Sequence, residues 1–374
     1  DKEFASLALE KRFSTWVKEA DLAEVAVEAV SKGDDFVLVV ANTVKDAVAI
    51  YEKLRQRTGK CLLLHSRFTI GDRARKIREI ESFMKRRRPL VLVSTQVVEV
   101  GVNLDFRVLV TSAAPISSLV QRIGRIGRGI FLKEKDFEIH IAYARVKDDL
   151  YDGIYSSRVV EMTIKALKTA INKHGEEGVS WKIPSSEEIM MDGRRMIPYN
   201  KLAEYAYEGI ELELNDELTR ILAYLTEPYV NSAEASRYMI RLGGFIRDSI
   251  ILPAYVPPEG EEPRDGDTLE LKPERLVPVK AELLGVVFHR ASGRERIEVD
   301  LKKCSKVVWT EGDKIMAILS GRGDEMMYKL VTLSELANLL ERMHAYIGGR
   351  LFSLEALVVR DDRYSPEVGL LIDD

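Results

Sequence analysis

The sequence predicts an α/β fold for residues 33–145, a parallel sheet flanked by helices, followed by a helical connector and a smaller mixed α+β C-terminal domain. Three observations predict it. Short runs rich in Val, Leu and Ile stand at Phe36–Ala41, Cys61–Leu64, Leu90–Ser94, Val108–Ser112 and Phe137–Ala142. Such near-continuous apolar runs are typical of strands covered on both faces. The stretches between the first three runs carry apolar residues at helical spacing, and strands that alternate with helices build parallel sheets. Polar and glycine residues gather where the runs end, as loops at the edge of a sheet require.

Taken in order, residues 1–32 are read as a lead-in helix, centred on an amphipathic stretch at Leu22–Val30 that stops at Gly33. After the first strand, Val44, Ala47, Val48, Tyr51 and Leu54 mark one face of a helix over Thr43–Arg57, with Thr43 as N-cap and Gly59 as stop. Ile77, Ile80, Phe83 and Met84 mark the inner face of a second helix, Asp72–Arg86. Pro115 is suited to the first turn of a third, where its missing N–H costs nothing. Beyond residue 145, Asp148–Lys173 reads as one long helix with a break near Gly153. Pro184–Met196 reads as a connector, and Asn215–Thr226 and Asn231–Leu242 as helices, so residues 146–252 form a helical connector. The Pro- and acid-rich run Pro253–Asp267 is read as a linker. Residues 268–374 form the last domain: strand-like alternation to 331, then a helix over Thr332–Tyr346 opened by Thr332 and Glu335 at capping-box spacing and closed by Gly348-Gly349.

Composition narrows the classes. At 374 residues the chain is long enough for two or three domains. It has no run approaching the roughly 20 apolar residues of a membrane span, and no signal-peptide pattern. The two cysteines, Cys61 and Cys304, lie far apart, which fits a reducing, cytoplasmic setting and no metal site. The net charge is −4, yet residues 65–88 hold nine Lys or Arg against three Asp or Glu. A basic face on a mildly acidic body suits a defined nucleic-acid track; a solvated helix face is the competing reading.

The chemistry concentrates in Val91–Arg128. Gln121, Arg122, Gly124, Arg125, Gly127 and Arg128 form a Q-R-x-G-R-x-G-R run that follows S-T-Q-V-V-E-V-G-V at Ser94–Val102. Gln121 and Arg125 are four apart, which predicts one shared helical face. Guanidinium forks grouped in this way suit a phosphate chain. The arrangement resembles motifs V and VI of the superfamily 2 helicases. The S-T-Q-V-V-E wording, with His65–Phe68 and Asn42-Thr43, is most similar to the helicase of type I CRISPR interference. Asn103 stands where that family usually carries Asp, although other superfamily 2 branches carry Asn.

The resemblance implies a RecA-like second motor domain at residues 33–145. It implies arginine fingers at Arg125 and Arg128, acting on ATP held with Mg2+ mainly by a first RecA-like domain. Gln121, Arg122, Gly101, Asn103 and Asp105 would complete the nucleotide side, with Glu99 shaping the connecting loop. Asn42, Thr43, Arg67, Arg73, Thr95 and Gln96 would grip single-stranded DNA through its phosphates. For Asn42 and Thr95 the competing reading is a loop-closing cap. His65 is read as a loop hydrogen-bonder, Lys85–Arg88 as a solvated helix end, and Trp16, Trp181 and Trp309 as packing residues.

Neither a G-x-x-x-x-G-K-[ST] loop nor a DEAD-, DEAH- or DECH-like run occurs, and no histidine precedes an aspartate. With no Met at position 1, the chain is expected to be a fragment, inactive alone, whose first motor domain and HD nuclease lie elsewhere. The implied partners are single-stranded DNA, that domain, the nuclease and a crRNA-guided surveillance complex. The implied activity is ATP-driven 3′→5′ translocation. Another superfamily 2 motor, or a non-catalytic RecA-like docking module, are the alternatives.

Overall fold

A computed structural model describes residues 11–33, 35–99, 103–145, 150–191, 193–210, 250–291, 294–321, 325–342 and 344–372. The chain divides into two compact units: residues 1–66 with 73–210, and residues 67–72 with 211–374.

The first unit is α/β. Six parallel strands, β1 (Arg12–Glu19), β2 (Phe36–Val40), β3 (Cys61–Leu64), β4 (Leu90–Ser94), β5 (Val108–Ser112) and β6 (Asp136–Tyr143), run in the order β1-β6-β5-β2-β4-β3. Every residue of β2, β3, β4 and β5 is buried, as their composition predicts. The helices are α1 (Leu22–Ser31), α2 (Val44–Leu54), α3 (Ile70–Lys85) and α4 (Ile116–Ile123). Asp21 caps α1 by accepting from Ala23 N and Glu24 N, and Thr43 caps α2 by accepting from Asp46 N. Between β2 and β5 the strand order reverses, the position where open α/β sheets build their sites.

Three expectations for this unit are corrected. Residues 1–32 are not simply a lead-in helix, because Arg12–Glu19 is an edge strand paired with β6 along its whole length. Its apolar side is short, with Phe13 and Thr15 buried, Ser14 and Trp16–Lys18 half-exposed and both ends exposed, so its alternation is weak. The long helix expected over 148–173 begins only at α5 (Ser157–His174); a small hairpin, β7 (Leu150–Tyr151) with β8 (Tyr155–Ser156), comes first. The expected boundary at 145 also falls inside the core. Val160, Leu167 and Ala170 of α5, Trp181, and Leu202 and Ala206 of α6 (Tyr199–Ala206) join the same hydrophobic cluster as Leu38 and Leu92. Within the expected connector, β9 (Val179–Ser180), β10 (Ile189–Met191) and β11 (Arg194–Pro198) make a three-stranded sheet.

The second unit is a mixed sheet with its own core. Its main path runs β13 (Thr268–Leu269), β19 (Met326–Thr332), β18 (Lys314–Ser320), β21 (Arg350–Val358), β12 (Ile251–Tyr255), β14 (Leu276–Lys280); β17 (Thr310–Glu311) pairs with β18, and β15 (Val286–Ala291) with β16 (Arg294–Val299). The expected linker 253–267 therefore starts within a strand. Pro253 is accommodated because it stands opposite Pro278 at a non-hydrogen-bonded position of the β12–β14 ladder, while parallel pairing with β21 begins only at Ala254, so no ladder bond is asked of the missing N–H. The capping box is present: Glu335 N donates to Thr332 Oγ1 at 3.2 Å and Thr332 N to Glu335 Oε2 at 2.8 Å. That helix ends at Arg342, short of Tyr346, and Gly348-Gly349 turn a hairpin between β20 (Ala345–Ile347) and β21. Residues 67–72 fold with this unit: Leu370 N donates to Arg67 O at 2.8 Å, and Thr69 N to the Tyr364 hydroxyl at 3.0 Å. The helices expected at Asn215–Thr226 and Asn231–Leu242 lie outside the described residues.

Candidate functional site

The site grows from the carboxyl ends of β2, β4 and β5. Arg122, on α4, has no exposed surface, and each of its N–H groups has an acceptor. Nε donates to Glu99 Oε1 at 2.9 Å, and Nη1 to Thr111 Oγ1 at 2.8 Å and Ser112 O at 3.1 Å. Nη2 donates to Asn42 Oδ1 at 3.0 Å and the Tyr155 hydroxyl at 3.1 Å. One side chain thus ties the loops after β2, β4 and β5 to the β7–β8 hairpin. Asn42 tightens the knot by donating from Nδ2 to Ala113 O and to Asp152 Oδ2, both at 2.8 Å. Its backbone carbonyl accepts from Gln96 Nε2 at 2.8 Å. Burial raises the Asp152 carboxyl above the usual range, and the Asn42 bond opposes that. A buried charge survives here because its donors are saturated.

Beyond the knot the chain turns sharply. The helix α4 stops at Ile123, so Arg125 lies past its end and does not share a helical face with Gln121. Phe106 fixes the turn by donating to Arg125 O and accepting from Gly127 N, each at 3.0 Å. Gly127 has φ +66°, and a Cβ there would sit 2.7 Å from the Phe137 ring, so glycine is required twice over. Arg125 is half-buried and donates from Nη2 to Glu99 O. Arg128 is exposed, and its Nη1 reaches Gly124 O at 3.2 Å. Burial, then the Arg128 charge, lower the proton affinity of Arg125, while Glu99 opposes. Two guanidinium groups close enough to disfavour each other are an arrangement that an anion relieves.

Asp105 holds the far side of this turn. It is 6% exposed, and its two oxygens accept from Arg128 N at 2.6 Å and Phe131 N at 2.9 Å. Burial raises its carboxyl above the usual range, against those backbone bonds and Lys11. The side chain is committed to shaping the loop, which removes it from the expected nucleotide ligands.

Residues 33–130 match the family model of the CRISPR-associated nuclease/helicase Cas3 C-terminal region. This segment is similar to that Cas3 region. The CRISPR-associated helicase Cas3 of Thermoproteus tenax is 37% identical over 92 residues, 24% of this chain and 16% of that protein. The CRISPR-associated nuclease/helicase Cas3 of Methanothermobacter thermautotrophicus is 31% identical over 127 residues, 34% of this chain and 15% of that protein. The crystal structure of T. fusca Cas3-AMPPNP gives a TM-score of 0.48 at 17% identity, covering 76% of this chain and 38% of that one.

The remaining expected residues fall into distinct places. Gln121 and Asn103 are exposed. Gly101 lies outside the described residues. Arg122 is corrected from a nucleotide ligand to the centre of the buried knot. Asn42, expected to grip DNA, has both amide N–H groups used within the protein, which fits the competing loop-closing reading. Thr95 is buried and makes no side-chain capping bond, and Thr43 spends its hydroxyl on Asp46. Gln96 is half-buried in the knot. Arg67 precedes α3 and Arg73 lies on its first turn, both half-buried. Arg75 and Arg78 of α3 and the run 85–88 are exposed. Trp181 donates from Nε1 to Thr15 Oγ1 at 3.1 Å and Trp16 stacks on His140 at 4.7 Å, so both tryptophans pack. Sequence reasoning passed over Tyr155, Asp152, Lys11 and Lys182. A lone lysine or tyrosine outside a motif carries no spacing signal. Among the described residues no helix is long and apolar enough to cross a membrane, and no group of three His, Cys, Asp or Glu is placed to hold a metal ion.

Proposed function

We propose that this chain is the second motor domain and C-terminal region of an ATP-dependent CRISPR-associated DNA helicase. Arg125 and Arg128 act as arginine fingers on a nucleotide held, with Mg2+, by a P-loop domain that the chain lacks. The observation that carries the reading is the division of labour within one run. Arg122 is sunk in the strand-end knot, while Arg128 stands exposed beside half-buried Arg125 on a turn braced by Asp105 and Phe106. The knot fixes where the pair points, so their charge meets the developing phosphoryl charge without reorganisation.

DNA is gripped through its phosphates by Arg67, Arg73 and the exposed arginines of α3, with the backbone at the start of α2 adding N–H donors. Asn42 and Gln96 join that loop to Glu99 and Arg122, linking the DNA side to the nucleotide side. In the intact protein the motor moves 3′→5′ along single-stranded DNA, handed over by a crRNA-guided surveillance complex, and feeds it to an HD nuclease.

The test is reconstitution with a P-loop domain from a Cas3 relative or from the same locus. DNA-stimulated ATP hydrolysis is expected, and Arg125→Ala should reduce turnover by ~10³–10⁵-fold. Unchanged turnover in that variant removes the finger role. No ATPase in the reunited protein favours a docking module.

A further inference from the structure

The turn that carries Arg125 and Arg128 ends a helix whose carbonyls need partners. Two lysines hold carbonyls around it: Lys182 reaches the last carbonyl of that helix, and Lys11 reaches carbonyls of the segment after Arg128. Lys11 Nζ donates to Phe131 O at 3.2 Å and Leu132 O at 3.0 Å, below the loop that Asp105 shapes. Lys182 Nζ donates to Ile123 O at 3.3 Å and Ile126 O at 3.2 Å, the carbonyls either side of Gly124-Arg125. The ammonium of Lys182 also lies 5.4 Å from the centre of the Phe13 ring. Its backbone is set by the residues just before it: Val179–Ser180 pairs with Ile197–Pro198, and Trp181 is tied to Thr15. A cation here satisfies the negative end of α4 and clamps the turn at two points.

We propose that Lys182 is a positioning residue for the arginine pair, holding by its two carbonyl bonds the direction in which Arg125 and Arg128 leave the end of α4. This rests on the finger reading for its kinetic consequence, but the clamp itself belongs to this chain alone. The clamp is also titratable. Burial first, then the charges of Arg128 and Lys11, bring the Lys182 ammonium down to about 8, with Asp105 opposing and Arg125 adding to the fall. Among the described residues those four groups, from the lead-in to β1, the loop before β5 and the turn after α4, are the charges that act on it. Protonated Lys182 grips the turn below pH 8, and the ionic grip weakens as pH rises through 8. A polyphosphate seated on Arg125 and Arg128 neutralises the neighbouring charge and so favours the protonated clamp.

The experiment has two arms. In the 374-residue chain, the guanidinium Nε–H signals of Arg125 and Arg128 are followed by NMR from pH 7 to 9.5, with and without inorganic tripolyphosphate. The wild type should show an inflection near pH 8 that moves upward with tripolyphosphate; Lys182→Arg, whose guanidinium does not titrate there, should show none. An inflection retained in Lys182→Arg overturns the clamp, as does a flat wild-type profile. In the protein reunited with its P-loop domain, Lys182→Met should lower kcat about 10–100-fold with little change in the KM for ATP. Lys182→Arg should recover turnover and flatten its decline above pH 8. If Arg125→Ala abolishes turnover while Lys182→Met leaves it untouched, the positioning role fails and the fingers stand. If Arg125→Ala leaves turnover intact, the finger reading fails, and the NMR arm still decides the clamp. Should Lys182→Met not fold, Lys182→Gln takes its place, and the wild-type titration decides on its own.

Discussion

Arg122 and Arg128 sit six residues apart in one run, and their surroundings are opposite. Around Arg122 everything is closed: no exposed surface, five hydrogen bonds, acceptors drawn from three strand ends and a hairpin. Around Arg128 the backbone is held tightly by Asp105 while the side chain stays in solvent. The contrast teaches that a repeated residue type in a motif need not mean a repeated job. The inner arginine makes the scaffold rigid, and rigidity there gives the outer pair a defined direction.

The comparison breaks most readily at its inner end. Arg122→Met should strand Glu99 and Asn42 without their partner and cost about 3–5 kcal/mol, as removing one member of a buried ionic group does. Thermal melting of the whole chain checks it; a change in Tm within error would mean that the knot is ornamental. Asp105→Ala should come next, at about 1–3 kcal/mol, because the N–H groups of Arg128 and Phe131 lose their acceptor. Its pH signature sharpens the point. The folded carboxyl is raised, so its contribution to stability is fully present below the ordinary aspartate range and is lost as pH rises through the raised value. Asp105→Asn should flatten that part of the stability–pH curve, and an unaltered slope counts against a buried titrating group. At the outer surface the effects are smaller in energy and visible in salt. Arg73→Ala should lower the slope of log affinity for single-stranded DNA against log salt by about one while leaving melting unchanged. The second unit offers a control: Thr332→Ala, which opens the capping box, should cost about 1 kcal/mol and leave DNA affinity as it was.

The parallel sheet was legible because burial on both faces leaves little choice of residue: Phe36–Val40, Leu90–Ser94 and Val108–Ser112 need apolar side chains throughout. Arg125 and Arg128 stood out in the sequence because Gly124 and Gly127 punctuate their run at a fixed spacing. The knot was not. Tyr155 and Asp152 join it from a hairpin 30 residues beyond α4, and pairing over such a distance leaves no local pattern. Pro253 misled for a physical reason: proline usually ends strands, yet it fits opposite Pro278 of β14 where pairing with β21 on the other side has not begun. Gly348-Gly349 misled similarly, since two glycines turn a hairpin as readily as they end a helix.

The edge position of β1 has a practical consequence. Similarity to the Cas3 relatives' family model begins at residue 33 and ends at 130, yet β1 lies before that window and β6 after it. A protein trimmed to the recognisable segment would leave β5 with an unsatisfied flank of backbone amides and carbonyls, open to pairing with another copy and to precipitation. What evolution keeps recognisable and what the chain needs in order to stay folded are here two different lengths, and anyone cutting this gene should follow the longer one.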